Sequence, residues 1–370
     1  MNIRPVAPAA TEYLYRKAVA MGAPLSGTFE LTPLCNMDCK MCYVRLSRQT
    51  QEAMGPLATA EQWLTLARQA RDAGMLYLLL TGGEPFLHPQ FRQIMEGLHK
   101  MGLLISLNSN ATLIDEDTVN WLKQCPPVRI NISLYGASDK TYAQLCANPR
   151  GFTQVKKAIG LLKAAGIGVK LNCSLTPDNA HELPQMVEFA KQNELLLQVA
   201  TYMFPPVRKD SAMTGTNQRF SPEDAAYYMA YAELLQLGKE RFLARGANCP
   251  IPNDPEDPCG QGDGVRCRAG RCSFWITWQG NMLPCGMFSA GESPNVFAQS
   301  FENAWEQVKK NTEAIRLPAQ CAQCSAKDDC HACAAMVMTE SGSFHEVPRY
   351  RCQMIHAYKA QWDRVKEEML

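Results

Sequence analysis

Three cysteines in one short stretch, Leu31-Thr-Pro-Leu-Cys35-Asn-Met-Asp-Cys39-Lys-Met-Cys42-Tyr43, constrain this chain more than any other feature. Thiols separated by three and then two residues can converge from one loop on a single inorganic site. Thiolates favour soft centres, chiefly zinc and iron–sulfur clusters. A structural zinc site closes with four ligands, and the next cysteine, Cys125, lies far away at the end of an expected helix. Three ligands without a fourth point to a cluster with one open iron; a three-cysteine fragment of a zinc site is the other reading of the same residues.

The chain around that loop alternates between two periodicities. The segments 27–32, 75–80, 103–108, 128–134, 167–174 and 195–201 read as strands, 75–80 as a continuous apolar run, and the segments between them as helices. Thr59-x-x-Gln62 has the form of a capping box, and 176–192 reads as one helix despite Pro184. Ser221-Pro222 opens a helix running to about Arg245, with serine at the N-cap and proline in the first turn. A short amphipathic helix is expected within residues 1–24. Six successive strand–helix units imply a parallel sheet with helical crossovers, either doubly wound or barrel-like.

Composition settles the redox setting. Sixteen cysteines in 370 residues would suit a disulfide scaffold only in a small secreted chain, and the amino terminus shows no apolar signal region. Metal binding in a reducing, cytoplasmic compartment is the expectation. The thiols are unevenly placed, with three at 35–42, three in the middle and ten from Cys249 onward, which marks a second, cysteine-dense domain. A net charge of +1 gives no electrostatic reason to expect nucleic acid or an anionic membrane as partner.

The CX3CX2C loop after a first strand resembles the radical S-adenosylmethionine (SAM) superfamily. That resemblance implies a partial (β/α)6 TIM-like barrel in an α/β chain, and a 4Fe–4S cluster whose open iron takes the amino and carboxylate groups of SAM. Strand ends should then supply the cofactor site. Thr81-Gly82-Gly83-Glu84-Pro85 resembles the GGEP motif that binds the SAM amino group; two glycines let the backbone approach closely, and Glu84 offers an acceptor for an ammonium. Asn108, Ser133, Asn172 and Arg150 are further candidates for the ribose and carboxylate, with Met41 and Tyr43 at the adenine edge. Two positions depart from the family. Met41 stands where an aromatic residue is usual, and Tyr135 where aspartate is frequent.

The later thiols, Cys267-X4-Cys272-X12-Cys285, then Cys321-X2-Cys324-X5-Cys330-X2-Cys333, then Cys352, number the eight that two four-iron clusters need. With Gly280 in an expected hairpin turn, the pattern resembles the SPASM extension of radical SAM enzymes. By that resemblance Cys267, Cys272, Cys285 and Cys333 hold auxiliary cluster I, and Cys321, Cys324, Cys330 and Cys352 hold cluster II. Cys249 and Cys259 are possible substitutes, and zinc ribbons are the competing reading of the paired CX2C units.

The expected organisation is an amino-terminal extension (1–25), the radical SAM barrel (26–205), a linker, helix and irregular loop (206–266), and the SPASM domain with a terminal helix (267–370), without a leader-binding module. The implied chemistry is reductive cleavage of SAM to methionine and a 5′-deoxyadenosyl radical, with SAM and three 4Fe–4S clusters as cofactors. The expected partners are a peptide or small-protein substrate and an electron donor such as flavodoxin or ferredoxin. A peptide maturase making a thioether or carbon–carbon cross-link, or an epimerisation, leads. An anaerobic sulfatase-maturing enzyme is weakened by Gly286, which stands where those relatives carry an aspartate base. A small-molecule cofactor-pathway enzyme and a zinc-binding scaffold complete the alternatives. Tyr135, Tyr202 and Arg208 are candidates for contact with substrate.

Overall fold

The structure, a computed structural model, describes residues 9–206, 218–247, 263–288, 292–327, 329–330 and 333–370. Arg208, Cys249 and Cys259 lie outside the described residues. Eight strands form one sheet: β1 (Ser26–Glu30), β2 (Tyr77–Thr81), β3 (Leu104–Ser109), β4 (Arg129–Ser133), β5 (Val169–Ser174), β6 (Leu197–Ala200), β7 (Ser273–Ile276) and β8 (Met282–Leu283). Their order is β6-β5-β4-β3-β2-β1-β7-β8. The first seven run parallel and β8 returns antiparallel to β7. The sheet stays open, with β6 and β8 as its edges, so the architecture is a partial barrel.

Alternation along each strand separates two faces. Leu78, Leu80, Ile105, Leu107, Ile130, Ile132 and Leu171 are buried, while Asn108, Asn131, Ser133, Asn172 and Ser174 line a cavity on the other face. The helices Ala60–Asp72 and Phe91–Lys100 bury Trp63, Leu66, Phe91, Ile94 and Leu98 in the same apolar core as the first set. Each such side chain contributes about 1.5–3 kcal/mol of burial. One covered face and one polar concave face mean that the strands are not apolar on both sides.

Local chemistry sets the helix ends. Both halves of the Thr59 capping box form, with Thr59 N–H donating to Gln62 Oε1 at 2.8 Å and Gln62 N–H to Thr59 Oγ1 at 3.3 Å. Ser221 caps Pro222–Leu237 as expected, but that helix stops at Gly238, whose φ of +80° breaks it from Lys239–Arg245. The expected 176–192 helix also begins later. Asn179 accepts from Thr176 N–H at 2.7 Å and donates to the Tyr135 and Ser174 carbonyls at 3.1 Å, holding a turn. The helix proper is Leu183–Gln192, with Pro184 in its first turn where a missing N–H costs nothing. Residues Ala9–Met21 form the amino-terminal helix.

Both exposed flanks of the six-strand unit are covered by the rest of the chain. β7, from the cysteine-rich part, pairs with β1 in the register Ser26↔Ser273 to Phe29↔Ile276. At the other side Gln236 Nε2 donates to the Leu197 carbonyl of edge strand β6 at 3.0 Å. Helix Pro222–Leu237 is in turn clasped by the terminal helix Arg349–Met369, through Tyr358 to Glu233 (2.8 Å) and Tyr227 to Glu368 (3.0 Å). Among the described residues no helix is long and apolar enough to cross a membrane.

Candidate active site

The carboxyl ends of the parallel strands surround a cavity of about 390 Å³, lined by Cys35, Cys39 and Cys42 together with Gly82, Gly83, Asn108, Ser133, Tyr135, Asn172 and Tyr202. The thiol loop is moored on two sides. Gly83 N–H donates to the Thr32 carbonyl at 2.7 Å and Glu84 N–H to the Leu34 carbonyl at 2.8 Å. On the far side Asp38 and Lys40 N–H groups bond the Cys146 and Leu145 carbonyls at 3.0 Å, satisfying the end of helix Asp139–Cys146. The two glycines are required by this close approach. A Cβ on Gly82 would lie 2.5 Å from the Thr32 carbonyl oxygen, and one on Gly83 2.3 Å from that of Leu34.

Burial, then the nearby Glu84, Cys39 and Cys42, push the Cys35 thiol up to about 12, against one hydrogen bond from Met37 N–H. A bare thiolate is thus disfavoured in this loop, and a bound cation must displace the proton. Among the described residues no three His, Cys, Asp or Glu side chains converge tightly enough to hold a single metal ion. Three thiols around one cavity are nevertheless the donor set of an iron–sulfur cluster.

The Glu84 carboxylate does not line the cavity. It is wholly buried and accepts from Ser109 Oγ at 2.9 Å, Asn110 N–H at 2.8 Å and Phe86 N–H at 3.3 Å. Burial raises it to about 7 against those three donors. The side chain therefore ties the end of β2 to the end of β3, and the glycine backbone is what this motif presents to the cavity. Asn110 carries the tie onward, donating to Asn36 Oδ1 at 2.9 Å and facing Cys35 Sγ at 3.6 Å.

Arg150 lies away from this site. It is exposed, immediately before helix Gly151–Ala164, and not in the cavity wall. Met41 and Tyr43 are in the wall, with Met41 7% exposed. Tyr135 is there too, its phenol raised well above the ordinary value by burial first and then by Cys39. Tyr202 donates to the Glu340 carboxylate, and burial followed by that carboxylate raises its phenol.

Asn131 was not expected. Its Nδ2 donates to Asn108 Oδ1 at 2.8 Å, across the register pair Asn108↔Asn131. Its Oδ1, like Asn172 Oδ1, is a buried acceptor without a hydrogen-bond partner. Both residues line the cavity, so a ligand bearing donors fits there. The sequence signal was present in the alternation of β4, where Asn131 sits between Ile130 and Ile132. Met203, Phe204 and Met287, also unforeseen, form the cavity's apolar side.

The later thiols fall into two neighbourhoods. Cys285, pushed up to about 12 by burial, feels Cys333 and then Cys267. Cys352, raised to about 11 by burial, feels Cys330, Cys321 and Cys324. Cys272 is fully buried in a small cluster with Ala18 and Leu25. The β7–β8 turn has Gly280 at φ +87°, where a Cβ would meet Phe297 at 2.3 Å.

A family model described as the Radical SAM superfamily matches residues 29–190. An AdoMet-dependent haem synthase of Methanosarcina barkeri is 24% identical over 348 residues, covering 89% of this chain and 96% of that protein. AlbA, the antilisterial bacteriocin subtilosin biosynthesis protein of Bacillus subtilis, is 28% identical over 313 residues, covering 83% of this chain and 65% of that protein. SuiB of Streptococcus suis, solved bound to precursor peptide SuiA, superposes with a TM-score of 0.66 at 19% identity over 93% of this chain and 82% of that one. The match begins within β1 and takes in the thiol loop, the glycine pair and the strand ends that share the cavity: residues 29–190 form a radical SAM domain, of a superfamily whose members matched here are enzymes.

Proposed function

We propose that this enzyme abstracts hydrogen from a peptide or small protein and thereby installs a thioether or carbon–carbon cross-link, or inverts a stereocentre. With SAM and its cluster bound, the site supplies a 5′-deoxyadenosyl radical. Cys35, Cys39 and Cys42 would hold the cluster, while Gly82 and Gly83 bring backbone within reach of the SAM amino group. The observation that carries the reading is the cavity whose lining includes those thiols together with Asn131 and Asn172, each with a buried, unpartnered amide oxygen. Those acceptors fit the hydroxyl and ammonium donors of SAM.

Auxiliary clusters on Cys267, Cys272, Cys285 and Cys333, and on Cys321, Cys324, Cys330 and Cys352, belong to the same proposal. It is supported by the two thiol neighbourhoods, in which Cys333 bears on Cys285. The Tyr202–Glu340 bond and Met287 bring the cysteine-rich part to the cavity wall. An electron donor of the flavodoxin or ferredoxin kind would serve the reduction.

Relatives named for peptide maturation and a solved complex with a precursor peptide support the substrate class. Formylglycine formation fits less well. A Cβ on Gly286 would lie 2.8 Å from the Trp275 ring, so the place for an aspartate base is filled. The second reading is oxidation of a small haem precursor, favoured by the haem synthase that matches 96% of its own length.

The deciding experiment incubates anaerobically reconstituted enzyme, SAM and reductant with short cysteine-containing peptides, in parallel with tetrapyrrole precursors. A mass loss of two daltons in a peptide indicates cross-linking, and deuterium gain from solvent indicates epimerisation. Turnover of a tetrapyrrole alone would replace the peptide reading. Recovery of zinc in place of iron, with no 5′-deoxyadenosine, would reject the cluster assignments.

A further inference from the structure

Arg351 stands beside the second thiol neighbourhood in an unusual electrostatic position. The residue is 8% exposed, and its Nε has no hydrogen-bond partner. One guanidinium nitrogen, Nη1, rests 3.5 Å from the Met354 sulfur. Among the described residues no carboxylate lies within ion-pair distance of it. A buried guanidinium cannot lose its proton, so it needs a negative partner. The groups at hand are thiols, which burial keeps protonated and which become anionic only as ligands of a bound metal centre. Arg351 reaches Cys330 by charge and hydrogen bond, and Arg266 bears on Cys330 and Cys321. Arg266 also lines a small pocket with Cys321, Cys324, Cys330 and Cys352.

In the first neighbourhood Cys285 is met by the thiols of Cys333 and Cys267 and by the N–H groups of Met287 and Phe288. The arginine next to Cys267, Arg268, is already paired with Glu12 at 3.1 Å and stacked on the Tyr15 ring. Near the second set, Glu340, which bears on Cys352, is engaged by Tyr202 and Arg219. His356 Nε2 lies 3.8 Å from Cys324 Sγ.

We propose that Arg351, with Arg266 beside it, is the built-in counter-charge of a four-thiolate cluster on Cys321, Cys324, Cys330 and Cys352, and makes that site the more readily reduced of the two auxiliary sites. The inference rests on the two-cluster reading. A 4Fe–4S centre with four thiolates gains one negative charge on accepting one electron, and fixed cations in a low-dielectric surrounding stabilise that gain. The arginines thereby favour this site over the other auxiliary site as the acceptor of an electron released in the reaction.

The test is an EPR-monitored redox titration of the anaerobically reconstituted full chain carrying Cys35→Ala, Cys39→Ala and Cys42→Ala, so that auxiliary signals alone remain. The higher-potential signal is assigned by its change in Cys324→Ser. Arg351→Gln should make reduction of that centre about tenfold less favourable, about 59 mV for one electron, with the other signal unmoved. Arg266→Gln should shift the same signal in the same direction, and it decides the matter if Arg351→Gln fails to hold iron. Unshifted potentials at full iron content, or a shift of the other signal, would overturn the inference. Iron content separates the two levels: a parent protein with about four irons in place of about eight removes the two-cluster reading, and the inference with it.

Discussion

The phenol of Tyr202, on the segment leaving β6, donates its hydrogen bond to the carboxylate of Glu340 on helix Ala334–Ser341. Arg219 completes the contact, 3.7 Å from Glu340 and with its guanidinium 3.9 Å over the Tyr350 ring. The cavity wall beyond β6 is thus held by the cysteine-rich part of the chain.

Tyr202→Phe leaves the buried Glu340 without its hydroxyl donor, and Glu340 Oε2 already lacks a partner. The expected cost is about 1–3 kcal/mol, read as a lowered melting temperature together with slower product formation. Denaturation curves that superpose on the parent would show that the bond contributes nothing to docking.

Gly83→Ala forces a methyl against the Leu34 carbonyl carbon and oxygen, next to Cys35. Backbone cannot swing aside as a side-chain tip can, so the thiol loop must shift. SAM cleavage should fall by at least about tenfold, or about 1.4 kcal/mol. Gly160→Ala is the control. It lies in a helix with nothing within 4 Å of a new Cβ and should stabilise by about 0.5–1 kcal/mol. Equal behaviour of the two variants in 5′-deoxyadenosine assays would remove the steric argument.

Asn172→Ala deletes an acceptor that has no partner in the protein alone. Removing it should leave the ligand-free chain within about 0.5 kcal/mol of the parent while weakening SAM binding about tenfold. Calorimetric titration with SAM checks the second half. Unchanged affinity would take Asn172 out of the cofactor site.

Glu84 has a folded-state value of about 7 against an ordinary 4.5. The folded chain therefore binds this proton more tightly than the unfolded one. Stability from this group is highest below about 4.5, falls as pH rises toward about 7, and is level above. Glu84→Gln cannot titrate, so the parent's advantage over it in the metal-free chain should narrow by up to about 3 kcal/mol between those limits. A gap independent of pH, measured by thermal unfolding at pH 5 and pH 8, would contradict the buried placement.

Replacing Cys35, Cys39 and Cys42 together by alanine should abolish SAM cleavage and lower bound iron by about a third, from about twelve atoms to about eight. Cleavage that persisted in this variant would move the radical centre elsewhere.

The sequence by itself determined the alternation of strands and helices, the thiol loop and the glycine pair, because each is local. Periodicity over a few residues, the Thr59–Gln62 box and the spacing of Cys35, Cys39 and Cys42 require no distant partner to be read. Tertiary structure decided what those elements meet. Glu84 looked like a ligand group, yet its oxygens are taken by Ser109, Asn110 and Phe86, a pairing created by β2 lying beside β3. Arg150 has the chemistry to bind a carboxylate, but the turn before its helix leaves it exposed. Asn131 became a cavity residue through its register with Asn108. The β7 pairing with β1 and the Tyr202–Glu340 bond join residues 245 and 138 positions apart in sequence, as in Trp275 to Glu30 and Tyr202 to Glu340. Contacts at such separations depend on the packing of the whole chain, which no local pattern encodes.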